Sequence, residues 1–247
     1  ESTIGSDAQQ PATSTFQHVA SVHKQRPALH LAFSARIETT AHQLLDDVTS
    51  AHVNEDGYPP AVRTRTVYYD YPSRRARIDD HATEHTPPKS SVRRYDVQIE
   101  WEVTELEGEK ECHKSRLIDA MPFPRFPPNF IYVGPAHVRG KTCEHWREDL
   151  GDETVEYFQE ADTGYPVRLT TESVEFVNLT RVTRPLMSYD VFDFVAETPP
   201  EEAFRIKASC EAPIFESTEM LTIQQCERVV QDMGFPYIHF LHSYFYT

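Results

Sequence analysis

Apolar and polar residues alternate with a period of two through most of this chain, the pattern of strands that set one face on a core. Between Ala28 and Thr39, Leu29, Leu31, Phe33, Ala35 and Ile37 alternate with His30, Ala32, Ser34 and Arg36. Val62–Tyr71 and Arg74–Asp79 read as a hairpin turned by Pro72-Ser73, with Val67, Tyr69 and Tyr71 on one face. Tyr95–Val103 is the clearest strand: Tyr95, Val97, Ile99, Trp101 and Val103 face one way, Asp96, Gln98, Glu100 and Glu102 the other. Glu107-Gly108-Glu109 turns the chain into Cys112–Ile118. From Phe130 to Leu169 the pattern predicts a meander of four short strands, broken by Gly, by Asp162-Thr163-Gly164 and by Pro. That is hairpin grammar, with Gly164 suited to a positive φ. Val174–Val182 and Leu186–Val195 follow as strands. The second holds Tyr189, Val191, Phe192, Phe194 and Val195, apolar on both faces, so cover is expected on both sides.

Other stretches depart from the strand period. Pro122, Pro124, Pro127 and Pro128 exclude a helix or a central strand. With Phe123, Phe126 and Phe130 they form either a rigid flap over the sheet or a packed connector. Residues 40–60 are a short helix at Ala41–Val48 or a long loop. Near the carboxy terminus the period becomes helical: Ile223, Cys226, Val230 and Met233 lie on one face, and Gly234-Phe235-Pro236 ends the run. The tail Tyr237–Thr247 holds five aromatics and packs on the body or on a partner. The expected organisation is an extended arm over 1–26, a β domain over 27–210, and a helix with an aromatic tail over 211–247.

Composition narrows the function classes. The 247 residues carry a formal net charge of −15, which opposes nucleic acid and anionic membrane surfaces. Basic residues nevertheless crowd at Arg63, Arg65, Arg74, Arg75 and Arg77, either pairing with Asp and Glu across strands or meeting an anionic headgroup. No run of 18 apolar residues predicts a membrane span. Four cysteines (Cys112, Cys143, Cys210 and Cys226) include no C-x-x-C pair, which favours two disulfides over a zinc site. Asn178-Leu179-Thr180 is an N-glycosylation sequon. With the start at Glu1, these features point to a processed chain in an extracellular or endomembrane lumen (secreted or lysosomal).

Catalytic signatures are missing. The chain has no G-x-S-x-G, P-loop, dinucleotide Gly fingerprint or H-E-x-x-H. Cys143 has His145 nearby but no third orienting group, so a disulfide or core role is expected of it. Asp79-Asp80-His81 and Glu84-His85 have the composition of metal ligands, yet Thr86-Pro87-Pro88 argues for an exposed polar loop. A non-enzyme is expected, with no metal site assigned.

The order of short motifs resembles the ependymin family: Cys112-His113-Lys114 and Leu117, Pro122-Phe123-Pro124, Pro128-Asn129-Phe130, Tyr132-Val133-Gly134, Trp146, Tyr165-Pro166-Val167, the Thr-rich strand through Thr180, Tyr189–Phe194, and Thr198-Pro199-Pro200 before Cys210. It is also similar to the non-catalytic amino-terminal region of some protist papain-family proteases, although no papain signature follows. The resemblance covers residues 60–210 and implies a strongly curved antiparallel half-barrel, like bacterial lipoprotein carriers, that binds lipid-like ligands. It further implies glycosylation (at Asn178), dimerisation, and calcium in some members, with no ligands assignable here and no cofactor required. The concave residues would be Tyr95, Val97, Ile99, Trp101, Val103, Phe130, Tyr132, Trp146, Phe158, Val167, Leu169, Phe192 and Phe194, lining a pocket or filling an ordinary core. The family pattern implies Cys143 paired with Cys210 and Cys112 with Cys226. Gly164 departs from it, standing where ependymins often carry a cysteine. The alternative expectation is an interaction module, an accessory or processed chain of a larger assembly docking through Tyr237–Thr247.

Overall fold

The computed structural model describes residues 24–41, 62–83, 86–106, 108–117, 120–206 and 214–215. The expected carboxy-terminal helix, the aromatic tail, Cys210, Cys226, the Ala41–Val48 helix beyond its first residue and most of the amino-terminal arm lie outside the described residues.

The strands are β1 (Ala32–Ala41), β2 (Val62–Asp70), β3 (Arg75–Asp80), β4 (Lys89–Arg94), β5 (Ile99–Leu106), β6 (Glu109–Arg116), β7 (Ile131–Val138), β8 (Lys141–Asp149), β9 (Glu153–Glu160), β10 (Pro166–Val177), β11 (Thr180–Val195) and β12 (Ile214–Phe215). They form one sheet in the order β12-β6-β5-β4-β3-β2-β1-β11-β10-β9-β8-β7. Neighbours are antiparallel except for β12, which adds two residues in parallel beside Lys114 and Ser115. β7 and β12 stand at opposite edges, so the sheet is open. Strand twist makes a sheet of this width coil rather than lie flat.

β1 sits at the centre because the hairpin halves fold back on either side of it. One half runs from β2 to β6, the other from β7 to β11. The β1–β11 pairing closes the two halves on each other across about 150 residues of chain, for example Ile37 opposite Val191. The predicted turns form: residues 71–74 join β2 to β3, Gly108 joins β5 to β6 at φ +85, and Gly164 sits at φ +70 before β10. β4 has no apolar alternation, its sequence Lys89-Ser90-Ser91-Val92-Arg93-Arg94 holding one apolar residue, and it is absent from the sequence expectation for that reason.

Residues directly opposite across two strands share a face. Phe33, Ala35, Ile37, Val67, Tyr69, Ala76, Ile78, Trp146, Val155, Tyr157, Leu169, Tyr189 and Val191 define the inner face and form one buried cluster. Leu117 follows β6 near one edge, and residues 120–130 lead into β7 at the other and run across this face as a strap. Met121, Phe126 and Phe130 of the strap, with Leu117 just after β6, are buried in the same cluster. A smaller cluster, Val138, Cys143, Phe158 and Val167, lies on the outer face. Residues 199–206 also pack outside: Arg75 lies over the Phe204 ring and pairs with Glu201, and Arg77 donates to the Ala203 carbonyl at 2.9 Å.

Two strand expectations are corrected by this register. Tyr95–Val103 is not one strand. Tyr95–Gln98 form a turn, with Gln98 at φ +55, and β5 starts at Ile99. Val174–Val182 is likewise not a strand: β10 ends at Val177, Asn178 and Leu179 form the turn, and β11 runs from Thr180.

Candidate functional site

The strap and the face beneath it are the only extensive apolar arrangement the described residues make. Phe126 is wedged among three rings, with centroids 5.4 Å from Phe130, 5.2 Å from Trp146 and 5.6 Å from Tyr157, all edge-to-face. Tyr132 meets Trp146 at 5.2 Å from the edge strand. Tyr69 donates its hydroxyl to the Pro122 carbonyl, and Arg26 donates to that of Pro128. Phe123, 53% exposed, touches the Tyr71 ring from outside.

The amino-terminal segment closes one end of this groove. Lys24 pairs with Glu144, and its charge is held above the ordinary lysine range by that hydrogen bond. Gln159 donates to the other Glu144 oxygen at 2.8 Å. His30 lies against Tyr165 and Phe194, and burial lowers its pKa.

Toward β4 and β5 the inner face turns polar. Ser91 and Arg93 both donate to Glu100 Oε1 at 2.7 Å. Burial pushes the Glu100 carboxyl up, but the Arg93 charge and these hydrogen bonds outweigh it and hold it below the ordinary range. Arg65, fully buried beside Ile37, pairs with Asp80. Within the basic cluster of β2 and β3, Arg65, Arg75 and Arg77 are thus engaged in cross-strand and local ion pairs: Arg75 also meets Asp70, and Arg77 meets Asp79.

The thirteen residues expected to line one concavity divide between two faces. Phe130, Trp146 and Leu169 are in the inner core, with Tyr132 and Phe194 packed against it, and Tyr95 joins from the β4–β5 turn. Val97 is exposed in that turn. Trp101 pairs with Val92, Val92 with Arg77, and Arg77 with Tyr68, the residue between inward Val67 and Tyr69. Ile99, Trp101 and Val103 therefore lie on the outer face, and the carboxylates Glu100 and Glu102 lie on the inner one. Phe158 and Val167 belong to the outer cluster. Phe192 is outside as well, opposite Arg36, with the Arg36 and Arg139 guanidiniums 4.3 and 3.6 Å from its ring centre. A bulge explains why Phe194 is inside: Asp193, at φ +50, is the extra residue opposite β1, and it reverses the alternation so that Phe194 stacks on Phe33 at 5.2 Å. Sequence reasoning missed Leu117 and Met121 as core, and the signal available was the spacing of apolar residues through the Pro-rich strap.

The expected Cys143–Cys210 disulfide is not formed. Cys143 is a buried free thiol whose pKa burial raises. Cys112 is disulfide-bonded, with its partner outside the described residues. Among the described residues no three His, Cys, Asp or Glu side chains converge as metal ligands. No described helix is long and apolar enough to cross a membrane. Two clefts among the described residues hold about 110 and 200 Å³; the first is lined by Val92, Val103 and Ile206 outside, the second by Arg63, His81 and Lys89. Both fall below the ~300 Å³ at which ligand pockets usually begin. The strap occupies the space a larger pocket would need.

Together these features define a class: an open, wide antiparallel sheet whose apolar inner face is covered by a segment of its own chain. No family model and no curated protein matches the sequence. Among solved structures, an uncharacterized conserved protein from Thermus thermophilus aligns with a TM-score of 0.48 at 12% identity, over 76% of this chain and 92% of that one. MucB in the Pseudomonas aeruginosa MucA/MucB complex aligns at 0.34 and 12% identity, over 74% and 58%. PNGF-II aligns at 0.31 and 9% identity, over 78% and 32%. The chain thus spans little more than half of that MucB and a third of PNGF-II.

Proposed function

We propose that this chain is a non-catalytic binding protein of a secretory or lysosomal lumen that takes a hydrophobic, lipid-like ligand on its inner face when the strap lifts. The observation that carries the reading is the strap itself. Four prolines keep residues 120–130 out of any strand ladder, and ring packing against Trp146 and Tyr157 seats it. Such a segment can leave without breaking the sheet. The ordered motifs that resemble the ependymin family support the same class of ligand.

Magnitude restricts that ligand. Lifting Met121, Phe126 and Phe130 exposes three apolar side chains, at ~1.5–3 kcal/mol each, or about 4.5–9 kcal/mol. A ligand recovers ~0.8 kcal/mol per buried methylene. Break-even needs on the order of 6–11 methylenes, which points to an acyl chain and away from small apolar molecules.

The test uses Trp101→Phe, which leaves Trp146 under the strap as the remaining tryptophan. A long saturated fatty acid is expected to change Trp146 emission while a short one does not. Native mass spectrometry of the chain from its own source should show an adduct of lipid mass that organic solvent strips. A bare chain whose Trp146 emission no long-chain lipid alters would end the carrier reading. Loss of an associated protein on deleting Tyr237–Thr247 would then replace it with the interaction module.

A further inference from the structure

Among the described residues the β10–β11 hairpin runs past its neighbours in the sheet. Ser173 is the last β10 residue paired with β9, and Met187 is the first described β11 residue paired with β1. Beyond them Val174–Thr183, Glu175–Val182, Phe176–Arg181 and Val177–Thr180 pair with each other, and among the described residues the last three of these rungs have no further strand beside them, while the Val174 N–H also donates to the Asp152 carbonyl at 2.7 Å. Arg181 tethers its flank through Asp149 and Thr154, at 2.6 and 2.8 Å. The apex has nothing over it among the described residues: Leu179 is 97% exposed and Phe176 72%, with Val177 also exposed.

Two features of the apex conflict with a bare surface turn. Asn178 and Leu179 have φ +50 and +65, the signs of a two-residue type I′ turn, for which glycine suits the second position. A leucine there costs roughly 1–2 kcal/mol, and it adds apolar surface beside Phe176 and Val177 as the most exposed large hydrophobic side chain among the described residues. The same residues read Asn178-Leu179-Thr180, so the sequon occupies the turn itself.

We propose that Asn178 carries an N-linked glycan and that its first sugars cover the apolar apex formed by Phe176, Val177 and Leu179. The turn offers the asparagine amide on a projecting ribbon with Thr180 exposed beside it, the access a glycosyltransferase needs. In the transfer, Asn178 Nδ2 attacks C1 of a polyprenyl-pyrophosphate-linked oligosaccharide. The C1–N bond forms, the C1–O bond to pyrophosphate breaks, and one amide proton is released with the lipid pyrophosphate, with no net oxidation. The apolar faces of pyranose rings then lie on the ring and methyl groups of the tip, removing from water surface that otherwise favours self-association. The inference shares a lumenal compartment with the proposed function but does not depend on the ligand of the inner groove.

The experiment is peptide mapping of the chain recovered from the cells that make it, before and after amidase removal of N-glycans. The glycosylated form of the Asn178 peptide should predominate, and Asn178 should read as aspartate after release. Thr180→Ala should abolish the modification. Releasing the glycan from the folded protein should raise binding of a hydrophobic dye severalfold, and the double variant Phe176→Ser, Leu179→Ser should suppress that rise. An unmodified Asn178 would overturn the proposal and leave the apex as a docking point. A glycan whose release leaves dye binding unchanged would overturn the covering role.

Discussion

Replacing Phe126 by alanine tests whether the strap is seated by its rings. Phe126 is 7% exposed and meets three aromatic neighbours edge-to-face. Phe→Ala in a core costs ~3–5 kcal/mol, and the lower end applies where the surroundings can collapse. The strap belongs to no strand, so it can partly close over the gap; the expected loss is about 3 kcal/mol. For a chain of this size each kcal/mol moves the melting temperature by roughly 2–4 °C, so the midpoint should fall by about 6–12 °C. Phe123→Ala is the internal control. That ring is half exposed with one aromatic contact, to Tyr71, and its loss should cost under about 1 kcal/mol. Both variants, made in the Trp101→Phe background, report on the strap separately through Trp146 emission, which should shift to the red for Phe126→Ala alone. Equal losses for the two variants, or a Phe126→Ala midpoint within about 2 °C of the parent, would show that the strap is held by something other than its buried rings.

Three further outcomes follow from the same geometry. His30 is held below its ordinary value of 6.5 by burial against Tyr165 and Phe194, so its neutral form is favoured in the folded chain. The unfolded chain then takes up the proton first as pH falls. The contribution of this site is complete above 6.5 and declines as pH drops through the lower folded value; His30→Gln should flatten that part of a urea-midpoint profile, and an unchanged slope would refute it. Leu179→Gly, which keeps the sequon, relieves the positive φ and should slow amide exchange across the Phe176–Arg181 rung, with a gain of about 0.5–1 kcal/mol after glycine's entropy cost; faster exchange would contradict the strain. Cys143 should resist a thiol reagent until the chain unfolds, and a non-reduced digest yielding it in a disulfide would refute the free thiol.

Strands were legible wherever neighbouring side chains sort by burial. The alternation of Phe33, Ala35 and Ile37, the turn before Arg75 and Gly164 at the β9–β10 turn all depend on a few residues of chain, and each forms as the local pattern requires. β4 was illegible because its two faces meet ion pairs and the outer-face segment, with only Val92 to signal burial. The candidate site was legible as a set of aromatic residues and illegible as a surface. Strand period tells which residues share a face, but not which face the rest of the chain will cover.

The sequence by itself determined an antiparallel β protein with an acidic surface, aromatic interior residues and no recognisable catalytic motif, because composition and period-two patterning are properties of short stretches. Tertiary structure alone decided the rest. Register placed Trp101 outside and Glu100 inside, the bulge at Asp193 turned Phe194 inward, and the crossing of residues 120–130 filled the inner face with Phe126. It also left Cys143 without the expected disulfide and set Asn178 at the apex of a projecting ribbon. Each of these depends on pairings between residues far apart in the chain, and a local pattern carries no record of them.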